Sequence, residues 1–181
     1  MREKPFTKPV LLMIAMTVFA FSLEATGDET VSNRGGNTIT VENFTMEWSI
    51  DGETLTVTAT APTTGWVAVG FDPSAAMKDA NIIIAWVQEG ELHVRDDYGS
   101  GHISHSPDEE LGGTSDVAGI SGTEENGTTR IVFTIPLDSR DRYDAPLLRG
   151  NTHKVILACG ADGADDFTSA HVWAKSLSLE L

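Results

Sequence analysis

The stretch Leu55 to Ala61 (LTVTATA) sets apolar Leu55, Val57, Ala59 and Ala61 against three threonines in strict alternation. A period of two sends successive side chains to opposite faces, so this segment is a strand with one face buried. Asp51-Gly52 just before it follows the aromatic and β-branched run Phe44 to Ile50 and predicts a hairpin. The same pattern recurs at Thr38 to Val41, Gly65 to Phe71, Glu91 to Tyr98, Thr129 to Leu137, His153 to Cys159 and Trp173 to Leu181. In Gly65 to Phe71 (GWVAVGF) the alternation places Trp66, Ala68 and Gly70 on one side. Asn81 to Val87 (NIIIAWV) is apolar throughout after its asparagine, as a strand covered on both faces would be. Glu89-Gly90 and Asn126-Gly127 read as further hairpin turns. Helical periodicity is missing; Ser74 to Ala80 is at most a short turn, and Gly99 to Glu125 is expected to be a long loop without strands. Many short strands parted by glycine and aspartate turns specify an all-β sandwich or barrel.

The N-terminus has a different character. Arg2, Lys4 and Lys8 precede the apolar run Pro9 to Leu23, and small residues follow, which describes a signal peptide over residues 1–25. Fifteen residues make a helix of ~22 Å, shorter than the ~30 Å hydrocarbon core, although an uncleaved N-terminal anchor is the rival reading. Residues 26–37 form a polar, glycine-rich leader, and 38–181 form one domain without a membrane span. A secreted or periplasmic location follows from this reading. The chain carries a formal charge of −15 and is more acidic still without its first 25 residues, so its surface repels phosphate backbones and no nucleic-acid partner is expected. The single cysteine, Cys159, sits in an apolar run and reads as a buried hydrophobe, with no intrachain disulfide available.

Hydrolytic chemistry finds no support. There is no Gly-x-Ser-x-Gly elbow and no His-Glu-x-x-His pair. Adjacent Asp165 and Asp166 point apart on an extended chain. Among the five histidines, His93 and His153 read as surface residues. His102 and His105 lie three apart in the long loop, weak grounds for a metal site, with His102 also able to touch a cofactor edge. His171 stands between an acidic loop and the last strand.

Three segments bear a family resemblance: Gly65-Trp66-Val67-Ala68-Val69-Gly70-Phe71, then Ser74-Ala75-Ala76-Met77, then Asp79 to Val87. Asp96-Asp97-Tyr98-Gly99-Ser100-Gly101-His102, the Pro136-Leu137-Asp138 step and the tail from Asp165 to His171 continue the match. Together they resemble the DOMON family, whose fold is an immunoglobulin-like antiparallel β-sandwich. In the haem-binding branch of that family a methionine and a histidine hold the iron axially. The resemblance implies these roles for Met77 and His171, with a noncovalent haem b, since Cys-x-x-Cys-His is absent. Thioether and imidazole are both good haem ligands. Trp66, Trp86 and Phe167 are the aromatic candidates for the haem slot, and Lys78 or Arg149 for a propionate. The expected role is electron transfer with a membrane or secreted oxidoreductase as partner, rather than catalysis. The rival readings are a haem-free DOMON module that stacks sugars or other small ligands on exposed tryptophans, and an assembly module using the acidic surface. Sequons at Asn43 and Asn126 would matter only in a glycosylating host.

Overall fold

The computed structural model describes residues 37–181. The proposed signal peptide and nearly all of the leader lie outside those residues. The strands are β1 (Thr38–Val41), β2 (Phe44–Asp51), β3 (Thr54–Ala61), β4 (Val67–Phe71), β5 (Asn81–Gln88), β6 (Glu91–Tyr98), β7 (Ser106–Pro107), β8 (Ala118–Glu125), β9 (Thr128–Pro136), β10 (Thr152–Gly160) and β11 (His171–Glu180). A single helical turn, α1 (Asp108–Leu111), follows β7. Two antiparallel sheets result, ordered β1-β2-β3-β9-β8 and β11-β10-β4-β5-β6-β7. The sandwich reading holds and the barrel is excluded.

The inner faces follow directly from the period-two pattern. Leu55, Val57, Ala59 and Ala61 of β3 are all fully buried, and they meet Val67, Val69 and Phe71 of β4 and Val155 and Leu157 of β10 in one core. Cys159 belongs to the same core at 4% exposure, and burial pushes its thiol up, away from reactivity. Glu89-Gly90 and Asn126-Gly127 both have two successive positive φ values, as a type I′ hairpin requires.

The long-loop expectation for 99–125 is corrected. Ala118–Glu125 pairs with β9 as an edge strand, and β7 and α1 occupy the middle of the segment. The sequence Ala-Gly-Ile-Ser-Gly-Thr-Glu-Glu carries no alternation because nearly all of β8 is exposed. Its glycines serve contact instead. A Cβ at Gly122 would stand 2.6 Å from Val87 Cγ2 and 2.9 Å from Leu92 Cδ1, so only glycine lets β8 close over the facing sheet.

Two histidine readings change as well. His153 is 5% exposed, its ring held between Asp72 Oδ2 at 2.6 Å and the Leu148 carbonyl at 3.0 Å. His93 is half-buried and stacks on Trp86, centroids 3.9 Å apart. Both partners are remote in sequence or cross-strand, so neither was visible from alternation. Phe133 is fully buried at the centre of the core, and Phe133→Ala is expected to cost about 3–5 kcal/mol, measured as a lower urea midpoint.

Candidate functional site

The sheet containing β4, β5 and β10 is apolar on both faces. Its outer face presents Trp66, Ala68, Ile82, Ile84 and Ala158, all buried, with Met77, Ile156 and Ala174 packed against them. Large and small side chains together leave a cleft of about 220 Å³. Trp66, Ala68, Gly70, Ile82, Ile84, Ile156 and Ala158 form its floor; Met77, His102, His105 and His171 stand on its walls. Met77 and His171, more than ninety positions apart in sequence, therefore face one space.

Each arrives by a specific device. Met77 sits in the segment between β4 and β5, where Ala76 and Asp79 adopt positive φ of 51° and 64°. That turn is closed by Ser74 N–H to the Lys78 carbonyl at 2.9 Å and Lys78 N–H to the Ala75 carbonyl at 3.0 Å. Asp79 accepts hydrogen bonds from the Ser74 hydroxyl and from the Tyr98 hydroxyl, the latter at 2.8 Å; these bonds, Ser74 first, hold its carboxyl below the ordinary value. Backbone bonds between Asp79 and Gly99 and between Gly99 and Ala80, both 2.8 Å, lock the turn to the end of β6. Gly99 permits this because a Cβ there would lie 1.7 Å from the Met77 carbonyl oxygen.

His171 depends on a β-bulge. On β11, Trp173, Leu177 and Leu179 point to the sandwich core, while Ala174 and Ser176 line the cleft. By simple alternation His171 would follow Trp173 into the core. The ladder instead pairs Cys159 with Trp173 and Gly160 with His171, leaving Val172 as an extra residue. The extra residue inverts the parity and turns His171 onto the cleft side. The preceding loop is pinned by Trp66, whose Nε1–H donates to Ser169 Oγ at 2.9 Å and whose N–H donates to the Ala164 carbonyl at 3.1 Å. Asp166 caps the backbone N–H groups of Thr168 and Ser169, which lower its carboxyl.

Trp66 and His102 line the cleft as well. Trp86 and Phe167 do not; they pack on each other at 5.9 Å on the same apolar face. Lys78 lies 3.8 Å from Asp79 and Arg149 is exposed on the segment before β10, neither on the cleft wall.

His105, which the sequence offers only as half of a weak metal pair with His102, has a structural role. Its Nδ1 bonds Asp97, which is fully buried and also receives Arg95 Nε at 2.6 Å and Nη2 at 2.7 Å. Arg95 in turn lies over the Phe167 ring, 4.4 Å from its centroid. This chain of contacts joins the loop bearing His102 and His105 to the loop bearing Phe167. The alternation of Arg95 and Asp97 on β6 was the available signal. Burial alone would push Asp97 up, but the bonds from His105 and Arg95 outweigh it and hold the carboxyl below its usual value.

Two outcomes follow. Gly99→Ala is expected to displace the Met77 turn at a cost of about 1–3 kcal/mol, read as faster hydrogen exchange at the Asp79 amide. A lowered native Asp97 contributes stability that is present above the ordinary value of 3.8 and is lost as pH falls through the native one. Asp97→Asn should therefore flatten the acid side of the Tm-against-pH curve while costing about 3 kcal/mol near neutrality.

The fold has solved counterparts. The cytochrome domain of Myriococcum thermophilum cellobiose dehydrogenase superposes with a TM-score of 0.57 at 12% identity, covering 76% of this chain and 74% of that one. The cytochrome b domain of pyranose dehydrogenase from Coprinopsis cinerea gives 0.55 at 12% identity, covering 76% and 75%. At that identity the likeness is one of fold. No curated protein matches the chain. Residues 40–160 match the DOMON domain, and the chain belongs to the DOMON family.

Proposed function

We propose that the protein is an exported b-type cytochrome that carries electrons through a noncovalent haem held between Met77 and His171. The observation that carries this reading is the single cleft on whose walls both side chains stand. Its donor set suits the group: a thioether and an imidazole, over a floor of small and branched apolar side chains against which a flat ring can lie. When bound, the haem supplies a one-electron couple whose potential thioether coordination raises.

The protein's own residues do the rest. The closed turn at 74–80 fixes the Met77 thioether, and the Val172 bulge aims the His171 imidazole. Ile82, Ile84, Ile156 and Trp66 would shield a bound haem from water on the sheet side. A haem held by both side chains would have no position left open to substrate, which would favour electron transfer over chemistry at the metal and make the protein a carrier. Its partner is then a membrane or secreted oxidoreductase. Export is supported by the basic start and apolar run of residues 1–25; no helix among the described residues is long and apolar enough to cross a membrane.

The sugar-stacking alternative is less favoured, because no described tryptophan is fully exposed: Trp66 is buried and Trp48, Trp86 and Trp173 are half-buried. Trp66 is 5% exposed, Trp173 stacks on Phe44 at 5.5 Å, Trp86 stacks on His93, and Trp48 packs against the core.

Purified protein supplied with haem is expected to show the reduced absorbance spectrum of a six-coordinate low-spin cytochrome. Met77→Ala and His171→Ala should each convert it to a high-spin or haem-free form. Unchanged spectra in both variants would overturn the ligand assignment.

A further inference from the structure

Away from the cleft lining, Asp96 from β6, Asp116 ahead of β8 and Asp144 from the segment between β9 and β10 converge, and Asp108 at the start of α1 is near enough to interact electrostatically with them. One oxygen from each of Asp96, Asp116 and Asp144 lies within 4.8 Å of the others. Asp96 and Asp108 are 2% and 1% exposed. The Asp116 N–H donates to Asp96 Oδ2 at 2.8 Å, while Asp96 Oδ1 is buried with no hydrogen-bond partner. Both oxygens of Asp108 are buried without one as well, and so is Asn81 Oδ1, whose Nδ2 donates to Asp144 Oδ1. Among the described residues, no ion pair ends on any of the four carboxylates; the pairs go to Asp72, Asp79, Asp97 and Glu42.

Such an arrangement opposes folding unless a proton or a cation neutralises it. A buried oxygen without a donor forfeits its hydration, and like charges packed together repel.

We propose that Asp96, Asp108, Asp116 and Asp144, with the Asn81 amide oxygen, form a binding site for one calcium ion. The set is all oxygen and mostly anionic, which selects a hard cation over zinc or copper. Oxygens sharing one calcium stand no more than roughly 5.2 Å apart, twice its ~2.3–2.6 Å bond, and the three grouped aspartates lie within that limit. Magnesium bonds at ~2.0–2.1 Å and keeps several waters, so it does not gather this many protein oxygens. The ligands come from β5, β6, α1 and two irregular segments, so the ion ties the 108–117 and 137–151 segments to the sheet edge. This site is independent of the haem reading, because none of its residues lines the cleft.

The test uses the full chain, stripped with EDTA and titrated calorimetrically with CaCl2 and separately with MgCl2. One calcium per chain is expected, with a Tm several degrees higher at about 1 mM calcium and an unchanged haem spectrum. Asp116→Asn and Asp144→Asn, with folding checked by circular dichroism, should each weaken calcium binding at least about tenfold. Two variants are used so that a misfolded one does not decide the matter. Absence of binding heat and of any Tm shift would overturn the site, as would undiminished binding in the folded variants. An equal response to magnesium would overturn the assignment to calcium.

Discussion

The central sheet of this protein has two apolar faces, and a two-layer sandwich can cover only one of them. β4, β5 and β10 bury Val67, Val69, Phe71, Ile83, Val155 and Leu157 against the opposite sheet. Their other face carries Ala68, Gly70, Ile82, Ile84, Ile156 and Ala158 out toward the cleft. Segments bearing Met77, Phe167 and Ala174 pack over that second face and bury Ala68, Ile82, Ile84 and Ala158, a gain of about 25 cal/mol for each Å² of apolar surface removed from water. Small side chains at Ala68, Gly70 and Ala158 beside larger isoleucines leave the open cleft between those segments. The cleft is therefore a consequence of how the strands are patterned as well as a place for chemistry.

What stands over that flat face is decided by backbone irregularities. The Met77 turn holds two non-glycine residues at positive φ and persists because Ser74, Asp79, Tyr98 and Gly99 over-determine it. His171 faces the cleft because one extra residue, Val172, breaks the alternation of the last strand. A bulge that re-aims a side chain beside a binding site fits the general behaviour of such features. The Arg95–Asp97–His105 contacts then connect the loops on either side of the cleft, so the walls are held by polar bonds and the floor by packing.

The acidity of the chain also divides into two kinds. Most of the carboxylates are solvated, and they govern solubility and partner choice. Asp96, Asp108 and Asn81 are buried with unanswered oxygens, a different physical situation in which charge must be neutralised by a proton or a cation. Asp97, next to Asp96 in sequence, points the other way on β6 and is answered by Arg95 and His105. Adjacent aspartates on one strand thus serve two separate assemblies.

Strand positions and the pairing of inner faces were legible in the chain itself, because a period of two is a local property that burial enforces residue by residue. LTVTATA, GWVAVGF and NIIIAWV announce one-sided or two-sided burial without reference to anything distant. The hairpins at Glu89-Gly90 and Asn126-Gly127 were legible for the same reason, since turn chemistry is local. Met77 and His171 could be singled out only by their place in a family pattern; nothing in their neighbours says that they meet. Strand β8 was missed because an exposed edge strand has no buried face to impose a pattern, and its glycines answer to Val87 and Leu92 across the sandwich. The burial of His153, the role of His105 and the gathering of Asp96, Asp108, Asp116 and Asp144 were likewise decided by tertiary structure alone. In each case the partner lies on another element, and a contact between distant segments leaves no periodic trace in either one.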